Sequence, residues 1–229
     1  MKNYAIIVAG GLGKRMQSEV PKQFLLLNGI PVLMHTIKAF HRSSITPKII
    51  LVLTHHFHDY WLRLCEQYDF TIPHEITDGG FSRSGSVRNG LALIKEKKGI
   101  VAIHDGVRPL ISQQIIAEAY KAAEEKGNAV AAVRCQDSVR QVNDDISHSL
   151  DRDSIYLVQT PQAFQVEQIK HAYDIVETET LEIKEFTDDA SIAEEAGLVI
   201  NLIEGSHSNI KITYHEDLAI AEALINMPH

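Results

Sequence analysis

The sequence predicts an α/β protein with a doubly wound, mostly parallel sheet and a protruding β-hairpin arm. Three observations support this fold class. Short apolar runs rich in β-branched residues alternate with amphipathic stretches, which is typical of a sheet covered by helices on both faces. A chain of 229 residues with 45% hydrophobic content can bury a full core as one domain, residues 1–229. Residues 137–150 depart from this rhythm, because polar and apolar residues alternate there around a turn sequence, which predicts the hairpin.

Five apolar runs have the composition of buried strands, and they lie at residues 5–8, 49–53, 100–103, 130–133 and 198–203. The clearest amphipathic helices between them are predicted over residues 32–41, 84–95 and 113–126. Ligands of such sheets bind at the carboxyl ends of the strands. Functional residues are therefore expected just after each strand.

A glycine-rich turn follows the first predicted strand. Gly10, Gly11 and Gly13 lack a Cβ atom, so their backbone N–H groups can approach an anion closely. Pro21 fixes the backbone just before Lys22. Cations near the turn are Lys14, Arg15 and Lys22. The segment predicts a polyphosphate site; the alternative is a tight strand-to-helix turn with surface cations.

The same turn excludes two common nucleotide sites. Gly13 and Lys14 are followed by Arg15, so the hydroxyl that a Walker A loop places on Mg²⁺ is absent. The G-x-G-x-x-G dinucleotide pattern is also absent, and residues 33–36 contain no acid for a ribose. A P-loop ATPase and a dehydrogenase are therefore disfavoured.

Two further strand ends carry candidate ligands. Asp105 follows the predicted strand 100–103, where a carboxylate suits Mg²⁺; the alternative is an ion pair with Arg108. A second glycine turn at Gly80 precedes Arg83 and the hydroxyl of Ser86. Together, the two glycine turns and the carboxylate at a strand end indicate a phosphate-binding site more specifically than any one of these motifs does.

Composition narrows the function further. The net charge of −8 disfavours a nucleic-acid partner, which needs a basic face. No window reaches about 18 uninterrupted apolar residues, and the N-terminus has no signal-peptide pattern; we expect a cytoplasmic protein. Cys65 and Cys135 lack the spacing of a disulfide framework or a zinc site, so they are interpreted as incidental thiols.

The remaining candidates indicate phosphate chemistry. No Ser-His-Asp arrangement is apparent. A histidine cluster has no Cys or carboxylate at ligand spacing in the sequence and is interpreted as a solvated loop: His55, His56 and His58. Cations, backbone amides and one metal suit transfer of a nucleotidyl group to a phosphate, because a phosphate monoester is already anionic near neutral pH. Such an enzyme supplies in-line positioning and charge stabilisation.

The predicted hairpin suggests how chains associate. An isolated two-stranded ribbon is marginal in water and needs cover for its apolar residues. A two-fold partner offering the same ribbon is the simplest cover. We therefore expect residues 136–152 to form a β-arm inserted in the domain, and a homodimer joined by exchanged arms.

The sequence resembles the bacterial 2-C-methyl-D-erythritol 4-phosphate cytidylyltransferases of the non-mevalonate isoprenoid pathway, from Ala5 to near Leu224. The early motifs that carry the resemblance are Lys14-Arg15-Met16, Pro21-Lys22-Gln23, Asp78-Gly79-Gly80 with Arg83 and Ser86-Val87, and His104-Asp105 with Arg108-Pro109. The late motifs are Asp151-Arg152, Gln159-Thr160-Pro161-Gln162, Thr187-Asp188-Asp189-Ala190-Ser191, Asn209-Ile210-Lys211 and Glu216-Asp217-Leu218. The resemblance implies a Rossmann-like nucleotidyltransferase fold and CMP transfer from CTP.

The resemblance also implies residue roles. The residues that would enclose the nucleotide are Ala9, Gly10, Gly11, Gly80, Arg83 and Ser86. The catalytic cations would be Arg15, Lys22 and Lys211, the first two on the CTP triphosphate and its α-phosphate. Asp105 would ligate Mg²⁺. The residues that would bind the methylerythritol phosphate are Ser138, Arg152, Thr160 and Thr187, with Ser138 and Arg152 acting in the partner subunit's site.

Three departures and three alternatives stay open. Gly10 stands where the family often has alanine, Ser138 where threonine is usual, and Gly106-Val107 replaces a frequent Ala-Ala. The nearest alternative is a ribitol-5-phosphate cytidylyltransferase, which shares the glycine loop and the His-Asp and Thr-Pro-Gln motifs. Hexose-1-phosphate nucleotidylyltransferases fit the late motifs poorly. A non-catalytic nucleotide-binding module would not need Lys22 and Asp105 together.

Overall fold

The main sheet runs through the centre of the protein. The structure, a computed structural model, describes residues 2–11, 20–179 and 186–227. Its strands are β1 (Asn3–Val8), β2 (Leu26–Leu27), β3 (Ile30–Pro31), β4 (Lys48–Leu53), β5 (Glu75–Asp78), β6 (Ile100–Asp105), β7 (Asn128–Arg134), β8 (Val139–Asn143), β9 (Ile146–Leu150), β10 (Tyr156–Gln165) and β11 (Leu202–Glu204). Its helices are α1 (Val32–His41), α2 (His58–Gln67), α3 (Arg83–Leu93), α4 (Gln113–Lys126), α5 (Val166–Glu179), α6 (Asp189–Glu195) and α7 (Glu216–Ile225).

Seven strands of the described chain form the main sheet in the order β11-β7-β10-β6-β1-β4-β5. The β1, β4, β5 and β6 strands pair in parallel, as do β7 and β11. The β10 strand runs antiparallel to both of its neighbours, β6 and β7. The doubly wound, mostly parallel sheet is therefore confirmed.

Successive side chains along the strands point to opposite faces of the sheet and pack into two hydrophobic cores, one on each face. On one face, Ile7 packs in a cluster with α1, α2 and α4. On the other face, Ile6 packs with α3, α5 and α6. This alternation follows from the period of two along a strand. A smaller cluster joins α7 to the short β2 strand through Leu27 and Ala221.

The predicted helices 32–41 and 113–126 match α1 and α4, and four predicted strands lie within β1, β4, β6 and β7. The predicted strand 198–203 starts too early, because β11 covers only Leu202–Glu204. Gly197, with φ +84°, ends α6, and the N–H of Leu198 donates to the carbonyl of Ala193 at 3.0 Å. Leu198 and Ile200 pack against the core, so their apolar character reflects burial after a helix end.

The predicted helix 84–95 also needs correction, since α3 runs from Arg83 to Leu93. The Ser82 side chain caps this helix by accepting from Gly85 N. The hairpin is present: β8 and β9 pair antiparallel around Asp144 and Asp145, both at positive φ. None of the helices in the described ranges has the length and apolarity needed to cross a bilayer.

Candidate active site

A cavity of about 650 Å³ opens where β1 and β6 end. Nine of the site residues predicted from the sequence lie on its wall: Ala9, Gly10, Gly11, Lys22, Gly80, Arg83, Ser86, Asp105 and Lys211. Thr54, Phe81 and Thr213 also line it but are not among the predicted site residues. Phe81 stands inside the second glycine turn, between Gly80 and Arg83, whereas Thr54 and Thr213 lie outside the motifs. The cavity lies at the strand ends where a parallel sheet presents its ligand site.

Two side chains on the protein side of the glycine loop that follows β1 hold the loop in place. Gln23 Nε2 donates to the carbonyl of Ala9 at 3.0 Å and to that of Gly11 at 3.4 Å. The hydroxyl of Thr54 donates to the Gly10 carbonyl at 2.8 Å. Three consecutive carbonyls are thereby fixed on the protein side of the loop. Gln23 belongs to the Pro21-Lys22-Gln23 motif, but the sequence does not reveal this role because it depends on the fold.

The position of Lys22 is set by the short turn to which it belongs. A 3-10 turn over Lys22–Phe24 follows Pro21, whose φ of −57° and ψ of 139° set the direction of entry. Gln23 and Phe24 are buried, which anchors the turn. Lys22 is thus brought to the cavity beside the glycine loop.

The turn at Gly80 packs closely against the start of α3 and forms a second wall of the cavity. The N–H of Gly80 donates to Ser86 Oγ at 3.0 Å, and that hydroxyl donates to the Ser82 carbonyl at 2.9 Å. A Cβ atom on Gly80 would lie 2.5 Å from the carbonyl carbon of Gly85, so no side chain fits there. A Cβ on Gly10 would meet Ser86 Oγ at 3.2 Å, which is tight for the alanine that the family often carries.

Asp105 lies at the centre of a cationic cluster. Its carboxylate is 2.9 Å from Lys211 Nζ, 3.5 Å from Arg83 Nε and 3.6 Å from Arg108 Nε. Burial alone would raise the pKa of Asp105, but the three surrounding cations hold it well below its usual range. The ion pair with Arg108 that the sequence left open is present, as one of three.

A buried carboxylate orients Arg83. Asp189 is fully buried, and its Oδ2 lies 2.8 Å from Arg83 Nη2. The hydroxyl of Tyr173 donates to the other oxygen at 2.6 Å. Burial alone would lower the pKa of Arg83, but Asp189 and Asp105 raise it above its ordinary value, so the guanidinium is charged. The motif that contains Asp189 gives no sign of this role in the sequence, because the contact with Arg83 forms only in the fold.

His104 and Thr160 support Asp105 from inside the protein. The backbone N–H of Asp105 donates to Thr160 Oγ1 at 3.1 Å. His104 Nε2 lies 3.1 Å from the Arg108 carbonyl, which can only accept, so this nitrogen carries the proton and Nδ1 accepts from the Thr160 hydroxyl at 3.0 Å. Burial lowers the pKa of His104 to about 4, so the ring is neutral at pH 7. A direct substrate contact by Thr160 stays a prediction.

Asn209 positions the loop between β11 and α7, which carries Lys211. Its side-chain amide donates to the Thr160 carbonyl at 2.8 Å and to Gln159 Oε1 at 3.2 Å. Arg108 Nη1 donates to the Asn209 carbonyl at 2.7 Å. The residue is fully buried. These contacts explain why an asparagine two positions before Lys211 belongs to the site.

Besides Thr160, three of the predicted site residues that the structure describes do not line the cavity. Ser138 is exposed beside the hairpin, and Arg152 Nη1 donates to the Gln136 carbonyl at 3.2 Å, so both belong to the base of the arm. Thr187 is exposed and precedes Asp188, which caps α6. Arg15 lies outside the described residues. Their roles stay predictions.

The histidine cluster requires a correction. The sequence shows no carboxylate at ligand spacing, but the fold brings Asp78 to His55 and His58. The pairing of β4 with β5 produces this contact, and the sequence gives no sign of it. The thiols of Cys65 and Cys135 are free, and burial raises the pKa of Cys65 to about 11.

A family model of the 2-C-methyl-D-erythritol 4-phosphate cytidylyltransferases matches residues 3–227. The chain belongs to this family. The 2-C-methyl-D-erythritol 4-phosphate cytidylyltransferase of Azobacteroides pseudotrichonymphae is 45% identical over 98% of this chain and 99% of its own. The cytidylyltransferase of Bacteroides fragilis is 46% identical over 96% of this chain and 98% of its own.

Solved structures of 2-C-methyl-D-erythritol 4-phosphate cytidylyltransferases have the same fold. The 4-diphosphocytidyl-2C-methyl-D-erythritol synthase of Anaerococcus prevotii matches with a TM-score of 0.84 at 29% identity, covering 99% of this chain and 96% of its own. The cytidylyltransferase of Francisella tularensis matches with a TM-score of 0.80 at 31% identity, covering 97% and 99%. The Rossmann-like nucleotidyltransferase fold is confirmed, and the chain is a cytidylyltransferase.

Proposed function

We propose that this enzyme transfers CMP from CTP to 2-C-methyl-D-erythritol 4-phosphate, releasing pyrophosphate, in isoprenoid precursor biosynthesis. The observation that carries the proposal is the cavity that joins the glycine loop and Lys22 to the cluster around Asp105. The family match and the late sequence motifs favour methylerythritol phosphate as the acceptor. The cytoplasmic location expected from the sequence stays a prediction.

The two glycine turns suit the nucleotide. Gly10 and Gly79 lie close together without side chains, so a flat base and ribose can approach backbone N–H groups. Lys22, with Arg15 in the role implied by the resemblance, would then face the triphosphate. Positive charge fixed in this position stabilises charge that develops on the α-phosphate and the departing pyrophosphate.

The chemical step needs no general base. An oxygen of the acceptor phosphate forms a bond to the α-phosphorus of CTP while the bond to pyrophosphate breaks. The phosphate oxygen is already anionic near neutral pH. The neutral His104 is fully buried and has both ring nitrogens in hydrogen bonds, so it does not reach the cavity. Lys22 and Lys211 act by position and charge.

Asp105 fits a divalent cation of the Mg²⁺ type. Mg²⁺ at nucleotide sites is commonly held by one or two carboxylates together with phosphate oxygens. Asp105 supplies an ionised carboxylate on the cavity wall, because its pKa is held well below its usual range. When bound, the ion would neutralise charge on the CTP phosphates. Lys211 and Arg83 would keep the carboxylate oriented toward the cavity.

We also propose that two chains exchange the arm of residues 136–152. In the described structure, β8 and β9 pair only with each other. Val142 and Ile146 are 63% and 61% exposed. Leu157 and Val158 continue the exposed apolar surface at the start of β10. A second copy covering this surface would bring its Ser138 and Arg152 toward the neighbouring acceptor site, as the resemblance implies.

A pyrophosphate-release assay tests the function. CTP and Mg²⁺ are supplied with methylerythritol phosphate, ribitol 5-phosphate or a hexose 1-phosphate, and the expected order of turnover begins with methylerythritol phosphate. Faster turnover of ribitol 5-phosphate would overturn the acceptor while leaving cytidylyl transfer in place. No pyrophosphate with any acceptor would indicate a nucleotide-binding module.

A further inference from the structure

Three metal-binding side chains meet at the carboxyl ends of β4 and β5, outside the residues that line the cavity. They are His55, His58 and Asp78, and their ligand atoms all lie within 4.8 Å of one another. His55 Nδ1 is 3.1 Å from Asp78 Oδ1, and His58 Nε2 is 3.4 Å from the same oxygen. A tetrahedral zinc ion with bonds of about 2.0–2.1 Å separates its ligand atoms by about 3.3 Å. Both separations in the structure are close to that edge length.

The fold fixes the three ligands in relation to each other. Leu53 ends β4 and is the register partner of Asp78, which ends β5. His55 begins a 3-10 turn, and His58 begins α2 three residues later, so the two rings lie on one side with centroids 5.1 Å apart. The arrangement therefore depends on the strand pairing and on one helical turn. It needs no rearrangement of the backbone.

The hydrogen bonds of His58 are compatible with a metal. His58 Nε2 lies 2.9 Å from the Leu53 carbonyl, so in the absence of metal this nitrogen donates a proton. A bound ion would take the place of that proton on Nε2, and the neutral ring would then carry its proton on Nδ1. The Leu53 carbonyl would keep a partner, because it also accepts from the N–H of Gly79 at 3.0 Å. Losing the histidine donor thus leaves no buried carbonyl unsatisfied.

We propose that His55, His58 and Asp78 bind one divalent transition-metal ion, with Zn²⁺ the best match, in a His₂Asp site open to solvent at its fourth position. Two imidazoles and one carboxylate are typical zinc ligands, whereas Mg²⁺ prefers an all-oxygen set. The exposure of His55 and Asp78, 84% and 57% of their side chains, leaves room for water as the fourth ligand. This site is separate in ligand chemistry from Asp105.

Metal binding would connect two loops that also form the nucleotide wall. Thr54 lies between the ligand His55 and β4, and its hydroxyl holds the Gly10 carbonyl. Gly79 follows Asp78 directly and packs against Gly10. An ion shared by both loops would hold this side of the cavity as a unit. We therefore expect Zn²⁺ to raise the thermal unfolding temperature.

The test is calorimetric titration of Zn²⁺ into full-length, EDTA-treated protein without a histidine tag, in the presence of millimolar Mg²⁺. We expect one ion per chain, with Mg²⁺ failing to compete. His55→Ala and Asp78→Asn should each weaken binding about tenfold or more. His56→Ala is the matched control, since His56 contacts Phe57 and not the cluster, and it should bind as the wild type.

Two results would overturn the proposal. One is the absence of a stoichiometric Zn²⁺ site in the wild type. The other is wild-type affinity in His55→Ala or Asp78→Asn, which would assign the ion to other histidines of the chain. His55 is largely exposed, so its substitution leaves the core intact, and an unchanged circular dichroism spectrum checks this.

Discussion

Lys22 reaches the cavity through a short turn whose other residues are buried, so its side chain can be removed without disturbing the core. If Lys22 stabilises charge that develops at the α-phosphate, Lys22→Ala should reduce turnover by roughly a hundredfold or more. The acceptor KM should change less than kcat. Steady-state kinetics measures both. Lys121→Ala, on the exposed face of α4, is the control.

The opposite kinetic pattern would contradict this role. A Lys22→Ala enzyme with near-normal kcat at saturating CTP would show that the residue only binds the ground-state nucleotide. Arg15→Ala is expected to behave like Lys22→Ala, although its place in the fold lies outside the described residues.

Asp189 acts by orienting Arg83, so replacing Asp189 should lower the free energy of unfolding. Asp189→Asn removes the charge that pairs with Arg83 at 2.8 Å while keeping an acceptor for Tyr173. Arg83, whose side chain is 23% exposed, would keep only the more distant Asp105 as an anion, so we expect a loss of about 3 kcal/mol in unfolding free energy. Urea denaturation measures it. The CTP KM should rise as well, since Arg83 lines the cavity.

A stability close to that of the wild type would show that Asp189 does not hold Arg83 in place. The companion change Tyr173→Phe removes only one hydrogen bond to the same carboxylate. It should cost less, about 1 kcal/mol. The order of the two variants thus separates the ion pair from the hydrogen bond.

At the scale of elements, the contact between the Gly80 turn and the start of α3 is too close for a side chain. A Cβ at Gly80 would meet the backbone of Gly85 at 2.5 Å, so Gly80→Ala must move the helix start. We expect a lower thermal unfolding temperature and a higher CTP KM. Gly79→Ala is the matched control for stability, because its nearest contacts would be at an ordinary 3.5 Å. Equal melting temperatures for the two variants would contradict the steric argument.

His74 ties α2 to the segment before β5, and its protonation should loosen this contact. The N–H of Trp61 donates to His74 Nε2 at 2.9 Å, and His74 Nδ1 donates to the Ile72 carbonyl at 2.7 Å, so the ring is neutral in the fold. Burial lowers the pKa of His74 below its ordinary value. The unfolded chain then binds the proton more readily, so stability is full above the unfolded pKa of about 6.5 and decreases as the pH falls through it.

Denaturation followed by the fluorescence of Trp61, the chain's one tryptophan, at several pH values measures this dependence. His74→Gln keeps a side-chain acceptor for Trp61 but cannot titrate. We expect its stability to decrease less between pH 7 and pH 5 than that of the wild type. Parallel curves for the two proteins would show that His74 contributes nothing to the acid response.

At the scale of the whole molecule, exchanged arms predict sites shared between chains. Lys22→Ala and Arg152→Ala subunits should each be inactive alone. In a mixed dimer one site would carry both lesions and the other neither, so activity should return after subunit exchange. Co-purification through different tags confirms that hybrids form. Hybrids that stay inactive would assign Arg152 to its own chain's site and leave the arm as a dimer contact.

The sequence predicts the parts of the fold that local patterns encode. Apolar runs gave β1, β4, β6 and β7, and the glycine turns and Asp105 were found because strand ends bring such residues to one edge. The β10 strand was missed because polar residues interrupt its apolar pattern. These residues, Gln159, Thr160 and Gln162, are buried, and their hydrogen-bonding partners lie far away in the sequence.

The same limit applies to the site. Asp189 and Asn209 belonged to recognised motifs, but their contacts with Arg83 and Thr160 exist only in the folded chain. Asp78 meets the histidines through the pairing of β4 with β5. Local patterns predict which residues are exceptional, whereas the contacts that give them roles are set by long-range packing.

The polar stretch of β10 affects the point during synthesis on the ribosome at which the enzyme can first become active. Its residues 159–162 bind the backbone of Asp105, the side chain of Asn209 and the start of α6, which come from three distant parts of the chain. Lys22 leaves the ribosome early, whereas Lys211 leaves near the end. If Lys211 acts at the acceptor phosphate as proposed, a nascent chain turns over substrate only once the segment through Lys211 has emerged and joined β10.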